Sequence, residues 1–410
     1  MSDRKPSSPP DPVVSTSSMN VEATTRLLLM LSALTALAPL GTDIYLSAIP
    51  VMATDFAVVV HKVESSISYF LFGLSIGQLL GGPLSDRFGR RKLVVSGLGI
   101  FALSSLGILL SDTLTELWLL RFFQALGGGL AMVNSSAIIR DLSSGKAGAA
   151  NLIRVMQVMM VAPLAAPVIG MLILQVSSWH AIFAFLMVYA LVLMLLFYRY
   201  LPETSPMRAN GNLLANYFAV IRERRVWGFI VSTCAAYAGL LGFITASPGV
   251  LMGYFGLTET IYPFVFGFNV VSMLLMSRVN LRLLSRFEPR QLIALGQAVQ
   301  LMASGLMVAY ILLVDQHSLY LLIPMTMLFM GSHSFVVANS ISCTTELFPE
   351  RAGTATALIA ALGFLAGGLS GGIIGYFADG TPLPMVLMLF SACLLGAGIR
   401  VINAKILSSS

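Results

Sequence analysis

Two charged side chains stand inside long apolar stretches of this sequence. Asp43 lies within residues 26–50, and Arg121 lies within residues 117–139. A charge inside a bilayer costs about 2.5–3.5 kcal/mol even on insertion scales, so an intramembrane acid or base marks a functional site by default. A carboxylate in such a place can take up and release a proton, and a nearby guanidinium can tune that exchange. The pair therefore predicts a proton-coupling site, and no other charged residue is expected at that depth.

The two charges are predicted to lie at similar depths. Asp43 stands seven residues before Pro50, where the first apolar stretch is expected to leave the membrane, which is roughly 10 Å along a helix. Arg121 stands four residues inside its own stretch, which is roughly 6 Å from the same face. We expect both side chains to line one cavity. The alternative is a static ion pair with a structural role.

The elements that must position these charges are predicted to be membrane helices. The 410 residues are 57% hydrophobic and only 10% charged, whereas soluble domains carry about 25% charged residues. Apolar stretches of about 20 residues can cross a bilayer as helices. Twelve are expected, at 27–48, 66–84, 93–111, 117–139, 151–176, 180–200, 227–251, 261–281, 291–314, 319–343, 354–377 and 385–404. The predicted fold class is an all-α membrane protein with no sizeable soluble domain.

The distribution of basic residues predicts the topology. Lys62 is an isolated exception to a pattern in which Lys and Arg occupy alternate connections, at 1–26, 85–92, 140–154, 199–225 and 278–290. Because cytoplasmic loops carry the excess of Lys and Arg, both termini are predicted to be cytoplasmic. The net charge of +6 is thereby explained by orientation in the membrane, and it is not taken as a sign of nucleic-acid binding.

The chain divides into two halves around a central connection. We predict a disordered cytoplasmic tail at 1–25, a six-helix bundle at 26–200, a cytoplasmic linker at 201–226 and a second six-helix bundle at 227–405. Apolar residues at helical spacing predict an amphipathic helix within the linker, although a plain linker is the alternative. The segment 280–291 also echoes the segment GPLSDRFGRRK at 82–92. Repeated six-span halves are typical of transporters.

The 82–92 segment predicts a conformational latch. Its glycines permit a tight turn, and its acid can cap a helix or accept hydrogen bonds from an arginine of a neighbouring span. Such a latch would hold an outward-open state and break when the inner side opens. The alternative is that the arginines serve only topology. The residues assigned to the latch are Gly82, Asp86, Arg87, Gly89, Arg90 and Arg91.

Span five and several span interiors carry further candidates. Pro163, Pro167 and Gly170 predict a hinge between half-bundles, because proline interrupts a helix and glycine permits close packing. Methionine and aromatic side chains suit adaptable apolar binding, and an amide in lipid needs a partner. The predicted substrate contacts are Tyr45, Met132, Asn134, Met156, Tyr237, Asn269 and Asn339.

Several classes of protein lack their signatures in this sequence. Three cysteines, Cys234, Cys343 and Cys393, fall within predicted spans and indicate neither a disulfide framework nor a metal site. No hydrolase constellation is found, Gly145-Lys146 lacks the rest of a phosphate-binding loop, and no lysine lies within a span. We therefore predict that the protein is not an enzyme, that it uses a proton gradient and no cofactor, and that it binds no metal.

Several segments carry a resemblance to a known family. The segment GPLSDRFGRRK at 82–92 matches the signature loop of the major facilitator superfamily. The segments APLGTDIYLSAIP at 38–50 and VAPLAAPVIG at 161–170 resemble its bicyclomycin-resistance (Bcr/CflA) group of drug:proton antiporters, as do LRFFQALGGG, IIRDL, SWHAIF and FPERAGTATAL. The chain departs from the group at Ser47, where proline is usual, and at Ala166, where glycine precedes proline.

The resemblance implies a monomeric exporter in the bacterial cytoplasmic (inner) membrane. It would move structurally varied lipophilic drugs outward in exchange for protons by alternating access. Its partners would be a small-molecule drug, protons and the lipid bilayer. The alternative is a proton-coupled transporter of one dedicated metabolite, either exporter or importer, because the same fold serves both.

Overall fold

Helices form nearly the whole described chain. The computed structural model describes residues 20–143, 145–204 and 213–409, and no β-strand occurs among them. Twelve helical stretches are long and apolar enough to cross a membrane, which confirms the twelve predicted spans. Much of the predicted tail at 1–25 lies outside the described residues, and the first helix begins at Asn20.

Each half of the chain contributes six spans. In the N-terminal half, span 1 is Asn20–Asp43, Leu46–Ala48 and Ile49–Asp55, span 2 is Val60–Phe88, span 3 is Arg90–Leu109, span 4 is Leu114–Met132 and Asn134–Leu142, span 5 is Gly145–Val176 and span 6 is Trp179–Tyr200. In the C-terminal half, span 7 is Arg224–Val226, Trp227–Pro248 and Gly249–Tyr254, span 8 is Tyr262–Leu283, span 9 is Pro289–Leu313, span 10 is Leu319–Gly331 and His333–Leu347, span 11 is Pro349–Arg351 and Ala352–Tyr376, and span 12 is Leu383–Ser409.

Span 1 is broken next to its acidic residue. Its first helix ends at Asp43, and helical structure resumes at Leu46. Pro39 lies inside the first helix, where it removes a backbone hydrogen bond. The predicted exit at Pro50 is wrong, because Pro50 lies in the first turn of the helix Ile49–Asp55, a position that tolerates proline.

Span 2 is longer than the hydropathy pattern predicts. It begins at Val60 instead of residue 66 and continues to Phe88. The predicted loop at 82–92 is therefore helical on both sides of a single turn residue, Gly89, and span 3 follows at once from Arg90. A short turn suffices because Gly89 has φ +97°, a backbone conformation that is readily adopted only by glycine.

The two halves pack closely along spans 2 and 11. The Ser75 hydroxyl of span 2 donates to the Ala361 carbonyl of span 11 at 2.8 Å, although the residues are 286 positions apart. Spans 5 and 8 also meet, with Leu164 beside Gly267. Within the N-terminal half, a Cβ on Gly127 would lie 2.4 Å from the Gly97 carbonyl oxygen. Close backbone approach of this kind is typical of membrane helix packing.

The linker contains a helix that contacts both halves. The helix Leu213–Arg222 agrees with the predicted amphipathic segment, whereas residues 205–212 lie outside the described residues. Val220 is buried against Ala355 of span 11. The Tyr217 hydroxyl donates to the Leu79 carbonyl of span 2 at 3.3 Å. The linker therefore packs between spans 2 and 11 at the end of the molecule that the charge pattern assigns to the cytoplasm.

Candidate functional site

Asp43 is buried at the break in span 1. Its side chain is 2% exposed, and its Oδ1 atom has no hydrogen-bond partner among the described residues. The helical course continues to Asp55, twelve residues further on, so Asp43 lies about 18 Å from that helix end at a helical rise of about 1.5 Å per residue. It is deeper than the sequence predicts, because the outer end of span 1 extends beyond Pro50.

Arg121 is fully buried and held by polar and aromatic contacts. Its Nη2 donates to the Gly41 carbonyl at 2.8 Å, and its Nη1 donates to Gln124 Oε1 at 2.6 Å. The guanidinium carbon lies 4.4 Å from the ring centre of Tyr45 and 4.2 Å from that of Phe70. A planar guanidinium can bond through its edge and stack through its faces. These contacts fix Arg121 against span 1.

The acid and the base do not form a direct ion pair. Among the residues that the structure describes, no nitrogen of Arg121 lies within 4 Å of Asp43. Arg121 instead binds the backbone of Gly41, two residues before the acid. The static ion pair that was the alternative interpretation is absent from this conformation. Arg121 therefore contacts the backbone of the segment that carries Asp43 and not the carboxylate itself.

Span 5 packs directly on the same segment. A Cβ on Gly170 would lie 1.6 Å from the carbonyl oxygen of Ile44, the residue that follows Asp43. Pro163 and Pro167 lie inside the helix Gly145–Val176, which the structure shows as continuous. Gly170 is thus placed where span 5 meets the break in span 1, and Pro163 and Pro167 precede it in the same helix. A change in the course of span 5 would be transmitted directly to the residue beside Asp43.

The signature turn carries a compact charge network. Arg90 pairs with Asp86 at 2.7 Å and with Asp141 of span 4 at 3.2 Å. The Arg90 backbone N–H donates to Glu203 Oε1 at 2.7 Å, and Glu203 closely approaches the position where a Cβ of Gly89 would stand. All of these partners precede the linker helix, so this network ties together the inner ends of the first half.

The remaining predicted latch residues contact nearby aromatic or backbone groups. The Arg91 guanidinium donates to the Tyr198 carbonyl and lies 4.9 Å from the Tyr198 ring centre. Arg87 lies 5.4 Å from the Phe88 ring centre. The nearest neighbour of a Cβ on Gly82 would be the Tyr217 hydroxyl at 3.9 Å. These contacts, among the described residues, join the latch residues to span 6, to the linker or to one another, and the latch stays a prediction.

The predicted substrate residues fall into two groups. Tyr45 is fully buried, and its hydroxyl shares a 2.8 Å hydrogen bond with Ser66. The Asn339 amide donates to Asn280 Oδ1 at 2.9 Å, so it is engaged within the second half. Asn134 and Asn269 each keep a buried Oδ1 without a partner among the described residues.

The other three predicted contacts differ in exposure. Met132 is buried, with 9% of its surface exposed, whereas Met156 is 38% exposed. Tyr237 is partly buried against the rings of His333 and Phe364, with ring centres 5.2 and 5.4 Å away. His333 itself contacts the Ala236 carbonyl at 3.2 Å. Four of the seven predicted contacts lie in the first half and three in the second.

Sequence reasoning missed one buried acid. Glu64 is 6% exposed and lies inside span 2, four residues from the start of the helix, so it is nearer a helix end than Asp43. The sequence did not single it out because the apolar stretch was taken to begin at residue 66, whereas the helix begins at Val60. An acid four residues into a helix, followed by small polar residues and then an apolar run, was the available signal.

The fold and the buried charges define a class of protein. Two six-span halves packed around buried ionisable groups form the architecture of a membrane transporter. Residues 31–371 match the profile of the Major Facilitator Superfamily. The chain therefore belongs to the Major Facilitator Superfamily.

Individual relatives and a solved structure agree with this family. The chain is 29% identical over 382 residues to the bicyclomycin resistance protein homolog of Haemophilus influenzae, covering 92% of this chain and 95% of that protein. It is 26% identical over 363 residues to a chloramphenicol resistance protein of Pseudomonas aeruginosa, covering 88% and 86%. A bacterial homolog of the human lysosomal transporter Spinster, solved in an inward-facing and occupied conformation, superposes with a TM-score of 0.74 at 13% identity, covering 94% of this chain and 98% of that chain.

Proposed function

We propose that this protein is a proton-coupled antiporter that exports lipophilic drugs by alternating access. The observation that carries the proposal is the carboxylate of Asp43, buried at a break in span 1 with one oxygen unpartnered among the described residues. A group of this kind is costly to keep inside a membrane protein and is usually functional. Arg121 of span 4 contacts the Gly41 carbonyl and Gly170 of span 5 contacts the Ile44 carbonyl. A movement of either helix would therefore move the backbone on one side of Asp43.

The substrate class is argued from relatives and from the chemistry of the interior. The names of two relatives refer to resistance to bicyclomycin and to chloramphenicol. Buried aromatic and methionine side chains offer adaptable apolar contact. Asn134 and Asn269 each present an unpartnered amide oxygen among the described residues, which suits a donor group on an otherwise lipophilic molecule.

The proposed cycle exchanges one proton against the drug at Asp43. With the inner side open, Asp43 loses its proton to the cytoplasm and drug binds. The half-bundles then rock, and the site faces outward. A proton from the outer side binds Asp43 and the drug leaves. The membrane potential adds about 2.3 kcal/mol per charge per 100 mV to the inward proton movement.

The proposal also covers the membrane location, the topology and the oligomeric state of the protein. We place it as a monomer in the bacterial cytoplasmic membrane, with both termini in the cytoplasm, because basic residues occupy the connections on one side. The proton gradient would supply the energy without a cofactor. The residues assigned to the latch and the hinge would control which side is open.

Drug accumulation in pump-deficient cells tests this function. Cells would express the wild-type chain, Asp43→Asn or the control Asp112→Asn, which removes an exposed acid between spans 3 and 4. The panel would contain a cationic dye, chloramphenicol, a sulfonamide and bicyclomycin, each with and without a protonophore. Membrane levels of each variant would be measured on immunoblots. We expect low accumulation with wild type and Asp112→Asn, and high accumulation with Asp43→Asn or protonophore.

Two outcomes would count against the proposal. If accumulation never differs from that of empty cells while the protein is folded in the membrane, the drug-export function is wrong and transport of one dedicated metabolite becomes the better hypothesis. If Asp43→Asn exports as well as wild type, the coupling role of Asp43 is wrong even if export itself is observed.

A further inference from the structure

Glu64 links the two halves at the predicted outer end. Its Oε1 accepts a 2.6 Å hydrogen bond from the backbone N–H of Gly249. Glu64 lies in the first turns of span 2, and Gly249 begins the last, π-helical turn of span 7. These spans belong to different halves, and the bond joins residues 185 positions apart. It is therefore a contact that must break when the outer ends separate.

The backbone at Gly249 is shaped for this contact. A Cβ at that position would stand 2.8 Å from Glu64 Oε1 and 3.3 Å from its carboxyl carbon, so any larger residue would displace the carboxylate. The preceding residue, Pro248, lies inside the helix and has no N–H to offer. A π-helical turn is rare and often occurs at functional sites. Gly249 thus presents its N–H at a place that a side chain would block.

Glu64 lies within a wider contact between the halves. A Cβ on Gly371 of span 11 would be 2.6 Å from the Ser68 hydroxyl of span 2. A Cβ on Gly375, one turn further out, would be 3.0 Å from the Ser65 hydroxyl. These close approaches show that the halves meet at the predicted outer end. The Glu64 carboxyl is enclosed by that contact, since 6% of its residue surface is exposed.

The charge of Glu64 has no cationic partner in this conformation. Among the described residues, no Lys, Arg or His nitrogen lies within 4 Å of its carboxylate. Other titratable or charged residues lie on the same helix near this end and on the neighbouring spans. On span 2 they are His61, Lys62 and Tyr69, and on span 1 they are Asp43, Tyr45 and Asp55. The others are Glu116 and Arg121 of span 4, Cys234, Tyr237 and Tyr254 of span 7, Tyr262 of span 8 and Tyr376 of span 11.

Several of these groups are already engaged elsewhere. Asp55 accepts a hydrogen bond from the Trp179 indole at 2.6 Å, and Tyr254 contacts His317 at 2.6 Å. The Tyr262 hydroxyl shares a 2.7 Å hydrogen bond with the Ser247 hydroxyl. One hydrogen bond from a backbone N–H stabilises a charged carboxylate by less than the free energy that it costs to remove that charge from water.

We propose that Glu64 is a second proton-binding site and that the outer ends close around it after it has taken a proton from the outer side. Before closure, a carboxylate oxygen forms an O–H bond with a proton from a hydronium ion of the outer solution, which is left as water, and on closure the carboxyl accepts the Gly249 N–H hydrogen bond. On reopening, the O–H bond breaks and the proton returns to outer water. Glu64 sets when the outer side closes, and Asp43 remains the coupling carboxylate.

This inference deepens the proposed function and rests on its alternating-access cycle. Closure that requires a proton would prevent an empty, unprotonated transporter from returning inward. It would also connect the two acids, because the Tyr45 hydroxyl, two residues after Asp43, bonds Ser66, two residues after Glu64. The outer gate and the coupling site therefore share one hydrogen-bonded surface between spans 1 and 2.

A distance measurement without drug tests the gate. Nitroxide labels on Ser177→Cys and Gln316→Cys would mark exposed outer loops of the two halves, with the three native cysteines replaced by alanine. Distance distributions by electron spin resonance in lipid nanodiscs would be recorded from about pH 5.5 to about pH 8.5. If closure requires one proton, the ratio of closed to open wild-type protein should fall by up to about tenfold for each unit by which the pH is raised. Glu64→Gln should stay closed throughout.

Matched glycine variants test the geometry separately from the charge. Gly249→Ala should lower the closed fraction at every pH, because its Cβ displaces the carboxyl. Gly253→Ala lies in the same turn, where a Cβ would meet nothing within 4 Å, and it should behave as wild type. Size-exclusion chromatography would show that each variant is folded. The proposal is overturned if Glu64→Gln follows the wild-type pH course.

The outcome is separable from that of the drug-export proposal. Cells expressing this chain could export no tested drug while the label distances of wild type and Glu64→Gln still differ with pH as described. That result would support the role of Glu64 in outer closure and contradict the drug-export proposal. If Asp43→Asn removes the pH response and Glu64→Gln leaves it intact, the proton that controls closure binds Asp43, and the assignment to Glu64 is wrong.

Discussion

At the scale of single residues, we propose that Arg121 positions the segment that carries Asp43. It binds the Gly41 carbonyl and Gln124 while stacking on Tyr45 and Phe70. Gln124 in turn donates to the Ser105 hydroxyl at 2.7 Å, so the arginine is anchored to span 3 as well. We propose that this geometry, and not the charge alone, supports the break in span 1.

Replacement of Arg121 by lysine should therefore impair transport. An ammonium group keeps the charge but cannot stack as a plane or bond two acceptors in a fork. Loss of one hydrogen bond to a charged group is worth about 1.5–3 kcal/mol, so we expect roughly a tenfold or greater fall in proton-driven efflux. Efflux in membrane vesicles would measure it, with the exposed Arg199→Lys as control. Wild-type rates in Arg121→Lys would show that charge alone suffices.

The contacts of Asn339 indicate a role in stabilising the fold and not in binding substrate. Its amide bonds Asn280 Oδ1 at 2.9 Å and the Phe335 carbonyl at 2.7 Å. We predict that Asn339→Leu lowers stability by about 1 kcal/mol, a common size for hydrogen bonds between membrane helices, without changing the drug profile. Thermal unfolding of Asn280→Leu, Asn339→Leu and the double variant would give the coupling energy. A selective loss of one drug in Asn339→Leu would instead support the predicted substrate contact.

At the scale of helices, the contact between spans 1 and 5 couples the hinge candidates to the acid. Gly170 has no room for a side chain because the Ile44 carbonyl occupies the place of its Cβ. Pro167 lies about one turn and Pro163 about two turns earlier in the same helix. Span 5 therefore cannot shift along its axis without moving the backbone beside Asp43.

Gly170→Ala should disrupt this contact and reduce export. Inserting a methyl group into a packed interior costs about 1–3 kcal/mol, and here the obstacle is backbone that cannot rotate away. We expect roughly a tenfold loss of efflux and a lower melting temperature. Gly372→Ala in span 11 is the matched control, because a Cβ there meets nothing within 4 Å. Equal behaviour of the two variants would contradict the proposed coupling.

Two glycines of the segment at 82–92, Gly89 and Gly82, differ in how much space a side chain would have. Gly89 combines φ +97° with a Cβ position only 2.7 Å from the Glu203 carboxyl carbon, whereas the nearest neighbour of a Cβ on Gly82 is 3.9 Å away. We predict that Gly89→Ala costs about 1–3 kcal/mol and that Gly82→Ala is nearly neutral. Thermal unfolding of purified protein would compare them. A larger cost at Gly82 would show that this helical position has the stricter requirement.

At the scale of the whole molecule, the two halves are joined at the predicted outer end. The Glu64–Gly249 bond and the approaches of Ser65 and Ser68 to span 11 lie on that side. The charge network of the signature turn, by contrast, stays within the first half. At the opposite end the halves also meet, because the linker helix packs against span 11 and a Cβ on Gly353 of span 11 would lie 3.6 Å from the guanidinium nitrogens of Arg140 of span 4.

A reversible lock at the outer end should stop transport. The Ser65 hydroxyl lies 3.0 Å from the Cβ position of Gly375, which is close enough for a disulfide. We predict that Ser65→Cys/Gly375→Cys, in a background without other cysteines, loses efflux on oxidation and regains it on reduction. Each single cysteine variant is the control. Undiminished efflux by the fully cross-linked protein would show that these ends need not separate.

Much of the fold follows from local sequence. Stretches of about 20 apolar residues can satisfy every backbone group in a bilayer only as helices, so hydropathy predicted the twelve spans and the buried positions of Asp43 and Arg121. The turn at Gly89 was visible because only glycine readily adopts its conformation. The end of span 1 at Asp55 and the start of span 2 at Val60 were missed, because polar residues near helix ends weaken an apolar average.

Tertiary structure alone decided what the charged groups contact. Sequence placed Asp43 and Arg121 at similar depth, but their spacing along the chain contains no information on which atoms meet. Folding brought Arg121 to the Gly41 carbonyl and Gly170 to the Ile44 carbonyl. It also enclosed Glu64 against Gly249, a residue of the other half. Hydropathy is a property of each segment by itself, whereas a buried acid acquires its partner only when distant helices pack together.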